Sequence, residues 1–217
     1  MTRKEREEKA LADSRQRREY ELELAREKLP GREQLLLCGI DEAGRGPLAG
    51  PVAAGAVILP YGEDFPYIND SKKLTPAKRD EMYDLIVQKA LSWSVGLASP
   101  EEIDSLNILQ ATYLAMRRAI NGLKIRPEIL INDAVIIPQV ELPQVKVIKG
   151  DAKCLSVGAA SILAKVTRDR IMEQYDREYP EYGFVGHKGY GTAAHIAALQ
   201  AFGPCPIHRK SFIGHFV

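Results

Sequence analysis

LLLCGIDEAGRGPLAGPVAAGAVIL, residues 35–59, holds two apolar runs joined by a turn rich in glycine and proline. The first run, LLLCGI (35–40), is short and closed by Asp41-Glu42, the pattern of a buried strand. The second, VAAGAVIL (52–59), reads as a strand pairing antiparallel with the first. Adjacent residues of a regular strand point to opposite faces. Asp41 and Glu42 can therefore share one site only if Glu42 already lies in the turn, which the following AGRG predicts.

Working outward, Thr75-Pro76 opens a helix to about Ala90, and LSWSVGLA (91–98) alternates as a third strand. Ser99-Pro100-Glu101-Glu102 combines a Ser cap, an early Pro and a Glu three residues on, a helix start. A further helix is expected over 107–121, then strands at ILIND (129–133) and VKVIK (145–149). A long helix over 154–178 is broken by Tyr179-Pro180, and another over 192–202 ends at Gly203-Pro204. Strands first meander and then alternate with helices. This predicts an α/β protein: a mixed β-sheet flanked by helices, with a helical C-terminal portion.

The 217 residues suit one domain of ordinary size, here residues 35–217 preceded by a charged helical extension over 1–34. In that extension Leu22, Ala25 and Leu29 recur at helical spacing, and Pro30-Gly31 ends it. Its ten Lys/Arg against nine Asp/Glu (residues 1–33) fit a solvated surface helix or a partly ordered arm better than a segment that touches nucleic acid. Residues 34–145 carry ten basic against fourteen acidic side chains, and residues 146–217 ten against six. Such an imbalance suits a cation-holding pocket beside a phosphate-tracking surface, although it also lies within ordinary scatter. Cys38, Cys154 and Cys205 are far apart and form no CxxC pair, so neither a disulfide framework nor a zinc ribbon is indicated. No apolar stretch precedes residue 35 and no run approaches the roughly 20 residues of a membrane span. A cytoplasmic protein without membrane association is expected.

Four acids stand at or just beyond strand ends: Asp41, Glu42, Asp133 and Asp151. Carboxylates brought together at one edge of a sheet repel one another unless cations neutralise them. Oxygen-rich sites of this kind suit Mg²⁺ or Mn²⁺, and two such ions can support phosphodiester hydrolysis. Asp151 is equally readable as a helix N-cap, and Asp133 as a strand-end turn residue. GRGPLAGP could cradle a phosphate through its N–H groups, but it lacks the Gly-Lys-Ser/Thr ending of a nucleotide-binding loop.

Five blocks in order, GIDEAGRGPLAGPVAAGAVIL, NDSKKLT (69–75), KGDAKCLSVGAASILAKVTRDR (149–170), GFVGHKGYGT (183–192) and HRKSF (208–212), closely resemble bacterial ribonuclease HII. The resemblance runs from about Leu35 to Phe212 and implies a ribonuclease H-like fold. It implies that Asp41, Glu42, Asp133 and Asp151 form a metal site for Mg²⁺ or Mn²⁺, with two ions in the substrate complex. It also implies that main-chain groups of Gly44-Arg45-Gly46 sense the ribonucleotide's 2′-OH, the feature separating RNA from DNA. Tyr190 matches the tyrosine that packs on the next sugar at an RNA–DNA junction. Lys72, with Ser71 beside it, matches a phosphate-contacting lysine. Arg45 serves either a phosphate or a salt bridge that holds the turn, while Lys153, His187, Lys188 and Arg209 are backbone or structural contacts.

The implied partner is an RNA/DNA hybrid or duplex DNA containing ribonucleotides; nothing in the sequence suggests an obligate dimer, so a monomer is expected. The implied reaction leaves a 3′-OH and a 5′-phosphate, with cleavage on the 5′ side of an embedded ribonucleotide. Two alternatives stand beside it: a nuclease of related fold acting on other nucleic acid, and a non-catalytic hybrid-binding protein of the same shape. The tail FIGHFV (212–217) is apolar and open to docking on the core or on a partner. The run Gly158-Ala159-Ala160-Ser161 predicts close packing of its helix on the sheet.

Overall fold

The computed structural model describes residues 2–32, 34–68 and 74–217, so Ser71 and Lys72 lie outside the described residues. Helix α1 (Arg3–Lys28) leads into β1 (Leu37–Ala43) and β2 (Val52–Ile58). Then come α2 (Pro76–Lys89), β3 (Ser92–Ala98), α3 (Pro100–Leu106), α4 (Ile108–Asn121), β4 (Ile129–Asp133) and β5 (Gln144–Val147). The rest is helical: the single turn α5 (Gly150–Lys153), the long α6 (Leu155–Glu178), α7 (Phe184–His187), α8 (Ala193–Phe202) and α9 (Lys210–Ile213). No helix among the described residues is long and apolar enough to cross a membrane.

The five strands form one mixed sheet in the order β3-β2-β1-β4-β5. The β1–β2–β3 meander is antiparallel, whereas β1–β4 and β4–β5 are parallel. Helix starts follow their sequence signals: Thr75 caps α2, and Ser99 with Glu102 closes a full capping box on α3. The predicted strand LLLCGI begins later and runs further than expected, because antiparallel pairing continues as far as Ala43 opposite Ala53. Likewise VKVIK is drawn back by one residue, β5 starting at Gln144.

One face of the sheet carries α6 and the other carries α3 and α4, with apolar residues of both strands and helices filling each interface. The approach of α6 is unusually close for a reason visible in two glycines. A Cβ on Gly39 would fall 2.2 Å from the Ser156 carbonyl carbon, and one on Gly55 would fall 2.3 Å from the Ala160 oxygen. Small residues on both sides thus set α6 directly on the backbone of β1 and β2, as the run Gly158–Ser161 predicted. That contact places Ser161 beside the end of β1.

The extension is seated on the core through more than its apolar stripe. Leu22 and Ala25 are buried as the spacing predicted, and so is Glu21, at the centre of the contact. Glu21 Oε2 accepts hydrogen bonds from the Ser156 amide and hydroxyl at 2.8 and 2.7 Å, while Oε1 pairs with Arg18 at 2.9 Å. A carboxylate at the exposed N–H groups of a helix start is favourably placed. Burial nevertheless pushes its pKa up, against the charge of Arg18 and the bonds from Ser156. Arg18 also reaches the carbonyls of Leu59 and Pro60, so α1 bridges the end of β2 and the start of α6. The C-terminal tail docks on the core too, Ile213 packing with Leu48 and Leu199.

Candidate active site

The C-terminal ends of β1 and β4 lie side by side. Ile40 is opposite Asn132 in parallel register, so the next residues outward are Asp41 and Asp133. Two acids remote in sequence are neighbours at one sheet edge because the strands run the same way. Asp133 then reaches past its strand: its Oδ1 accepts a hydrogen bond from the Gly150 amide at 2.7 Å. Asp151 follows at once, buried in the first turn of α5. It is not an N-cap, since Lys149 holds that position in the left-handed region (φ 58°).

Glu42 departs from expectation. It belongs to strand β1, paired with Ala54, and the chain leaves the sheet only after Ala43. Strand alternation therefore sends Asp41 toward α6, where the Ser161 hydroxyl bonds its carboxylate, and Glu42 toward the opposite face. Glu42 Oε1 is met there by Arg45 at 3.2 Å. The two acids flank the sheet edge rather than sharing a turn.

Electrostatically they still form one set. Burial, then the charges of Glu42 and Asp133, hold the Asp41 carboxyl well above the usual carboxylate range, against the bond from Ser161. Burial likewise raises Glu42, with the charge of Asp133 adding to it and Arg45 opposing. Glu42 Oε2 is buried with no hydrogen-bond partner, an orphan lone-pair site. Among the described residues, no three acidic, histidine or cysteine side chains are gathered closely enough to enclose one ion. The donor chemistry nonetheless fits a divalent cation: hard oxygens, mutual repulsion, and a buried carboxylate oxygen with nothing on it.

Beside the acids lies the turn 44–51. Gly44 takes φ +94°, and a Cβ there would sit 2.1 Å from Arg168 Nε. Only glycine satisfies both conditions. Two arginines grip this turn from beneath. Arg168, 1% exposed, donates from Nε to the Pro51 carbonyl, from one terminal nitrogen to Ala49 and from the other to Lys188, all at 2.9–3.0 Å. Arg209, wholly buried, donates to the carbonyls of Gly50, Arg45 and Gly44 at 2.6–2.9 Å. Burial, and then each other's charge, press Arg209 down to about 9, so it stays cationic at neutral pH. With the Gly44 and Arg45 carbonyls turned inward to the guanidinium, Arg45 and Gly46 stand exposed at the tip while Gly44 is buried.

Tyr190 closes the far side of the tip. Its ring lies 3.7 Å from where a Gly46 Cβ would be, and the side chain is 47% exposed. The Leu48 amide donates to the Gly189 carbonyl at 2.8 Å, tying the two segments together. Of the lesser candidates, Lys188 pairs with Glu173 at 2.8 Å, and His187 donates from Nε2 to the Tyr182 carbonyl at 2.9 Å. Lys153 is exposed. Sequence reasoning assigned nothing to Arg168, Glu21, His195 or His208, and it saw Arg209 only as a general contact. A basic or imidazole side chain whose partners are main-chain oxygens leaves no complementary residue to find.

A family model described as Ribonuclease HII matches residues 38–215. The chain is 62% identical over 177 residues to a ribonuclease HII from Lachnoclostridium phytofermentans, covering 82% of this chain and 70% of that one. It is 56% identical over 179 residues to one from Clostridioides difficile, with the same two coverages. Among solved structures it is similar to the ribonuclease H2 from Pyrococcus horikoshii. There the TM-score is 0.65 and the identity 30%, over 81% of this chain and 92% of that chain.

Proposed function

This chain belongs to the ribonuclease HII family and is a ribonuclease H, and from that premise we propose that it cuts RNA strands at the acidic edge of β1 and β4. The substrates are RNA/DNA hybrids and duplex DNA carrying a single ribonucleotide, cut on the ribonucleotide's 5′ side. Water attacks the phosphorus, the bond to the preceding 3′-oxygen breaks, and the products end in a 3′-OH and a 5′-phosphate. Asp41, Glu42, Asp133 and Asp151 would hold the divalent cations on which the family depends, Mg²⁺ or Mn²⁺ and two in the substrate complex. When bound, such ions lower the pKa of water and stabilise the charge developing on phosphate and leaving oxygens.

The chain's own residues do the selecting. Main-chain groups of Gly44-Arg45-Gly46 meet the 2′-OH, and the Tyr190 ring packs on the adjoining sugar, with Lys72 and Ser71 at a phosphate. Ser161 orients Asp41, and Gly150 orients Asp133, by the hydrogen bonds already described. The observation that carries this reading is the parallel β1–β4 register, which sets Asp41 and Asp133 side by side near the turn whose tip, Arg45-Gly46, is exposed. The test is a DNA duplex with one ribonucleotide, incubated with the protein and Mg²⁺ or Mn²⁺ beside an all-DNA duplex. Cleavage 5′ of the ribonucleotide alone supports it. No cleavage, or equal cutting of the all-DNA duplex, overturns it.

A further inference from the structure

Three of the chain's four histidines, His187, His195 and His208, gather beneath Tyr190. His195 and His208 are buried, and their Nε2 atoms face each other at 3.0 Å. Two imidazole nitrogens can share a hydrogen bond only if one carries a proton and the other does not. The outer partners decide which. His195 Nδ1 lies 2.9 Å from the Tyr190 carbonyl oxygen, which can only accept, so Nδ1 carries the hydrogen and Nε2 is bare. His208 Nε2 must then be the donor, leaving its Nδ1 to accept from the Cys205 amide at 3.0 Å. The Cys205 thiol at 3.1 Å is a second donor to Nδ1, and the Cys205 carbonyl, 3.3 Å away, receives no proton from it in this tautomer. Every link is consistent with one assignment: Cys205 N–H to His208, His208 to His195, His195 to the Tyr190 carbonyl.

The neighbouring ring obeys the same logic. His187 stacks on His195 with centroids 4.4 Å apart, donates from Nε2 to Tyr182, and accepts at Nδ1 from the Gly189 amide at 3.2 Å. Its own carbonyl receives the Tyr190 amide at 2.9 Å. The Tyr190 peptide is thus held on its N–H side by the His187 carbonyl and on its C=O side by His195 together with the Thr192 amide at 2.8 Å. Burial lowers both His195 and His208 below their usual range, in keeping with neutral rings.

We propose that His195 and His208 are positioning residues that fix Tyr190 over Gly46 through this one-way chain of tautomers, and so set the enzyme's preference for an RNA–DNA junction. The inference rests on the reading of Tyr190 given above. It differs from a general packing role because it depends on the direction of each hydrogen bond, not on the volume of the rings.

Two replacements of one residue separate the links. His195→Asn can still donate to the Tyr190 carbonyl but falls short of His208. His195→Gln can reach His208 but offers nothing to Tyr190. The readout is the ratio of cleavage rates on a single-ribonucleotide duplex and a continuous RNA/DNA hybrid, for both variants and for Tyr190→Ala. The expected result is a drop in the ratio of about tenfold for His195→Gln, the usual scale for losing a group that orients a site residue, with a smaller drop for His195→Asn, which keeps the bond to Tyr190 and loses the one from His208. Long-range ¹H–¹⁵N NMR of the wild-type protein should find His195 protonated on Nδ1 and His208 on Nε2.

The opposite tautomer at His195 overturns the proposal, whether or not the variants fold. A ratio unchanged in His195→Gln but lowered in Tyr190→Ala overturns it and leaves the role of Tyr190 standing. A ratio unchanged in Tyr190→Ala removes that role, and the positioning claim with it.

Discussion

Asp41 and Glu42 at the end of β1 and the Arg168–Arg209 pair beneath the next turn are both buried charges, yet they are compensated in opposite ways. Six main-chain carbonyls receive the arginines, three each, at hydrogen-bonding distance. The acids are raised in pKa by burial and by one another, and one oxygen of Glu42 meets nothing. A buried charge is costly unless its hydrogen-bonding capacity is filled. The arginine charge is therefore spent on shape, holding carbonyls inward so that Arg45 and Gly46 are exposed at the tip. The acid charge is filled only in part, by Ser161 at Asp41 and Arg45 at Glu42, which is a structural cost and a chemical resource.

The comparison breaks most visibly at the acids. Asp41→Asn should reduce cleavage at least about a thousandfold, as for loss of a group that holds a catalytic metal. Its unfolding midpoint without divalent cation should not fall, because a buried charge has been removed. A midpoint that falls with the activity, followed by thermal melting in chelator, would make Asp41 a structural residue like the arginines.

Arg209→Lys should behave the other way. One ammonium cannot span the carbonyls of Gly50, Arg45 and Gly44, so urea unfolding should report a loss of about 3 kcal/mol, the same with and without Mg²⁺. Stability unchanged by the substitution would mean that water replaces the guanidinium there.

A third outcome concerns pH. His208 is pressed to about 4 by burial first, then by the neighbouring His195, with His187 adding to it and the main chain of Cys205 opposing. An unfolded histidine titrates near 6.5. The folded state therefore binds this proton less readily, so its contribution is complete above about pH 6.5 and is lost as pH falls toward about 4. Wild type minus His208→Gln, measured by denaturation across that range, should trace this decline. A flat difference would mean that folding leaves the proton affinity of His208 unchanged. The smallest effect is expected at Arg45, the exposed arginine of the turn. Arg45→Ala should change stability by no more than about 0.5 kcal/mol, since its pair with Glu42 is solvent-facing on the arginine side. A change in KM for hybrid without that stability loss would assign the side chain to phosphate rather than to the salt bridge.

The sequence was most informative where local chemistry decides structure. The caps at Thr75 and Ser99, the break at Tyr179-Pro180 and the small run Gly158–Ser161 all fall where residue type predicts. The pairing of Asp41 with Asp133 was legible as a possibility, because both end apolar strands, and became a fact only with the parallel register. Glu42 was misplaced because glycines after Ala43 suggested an early turn, whereas pairing with β2 holds the strand two residues longer. Glu21 looked like one more charge on a charged helix. Nothing local distinguishes it from Glu19 or Glu23, and its partner Ser156 is 135 residues away.

The distance spanned by the Arg209 clamp has a further consequence, in time rather than space. Arg209 donates to the Gly44 carbonyl across 165 residues of chain. A ribosome adding 5–20 residues per second delivers the turn on the order of ten seconds before the side chain that shapes it. During synthesis the acidic edge and its glycine tip therefore exist without their final form. A nascent chain that has not yet reached HRKSF (208–212) carries the acids of β1 and β4 but not the clamp that shapes the turn, so on the proposed function discrimination is among the last properties this molecule acquires.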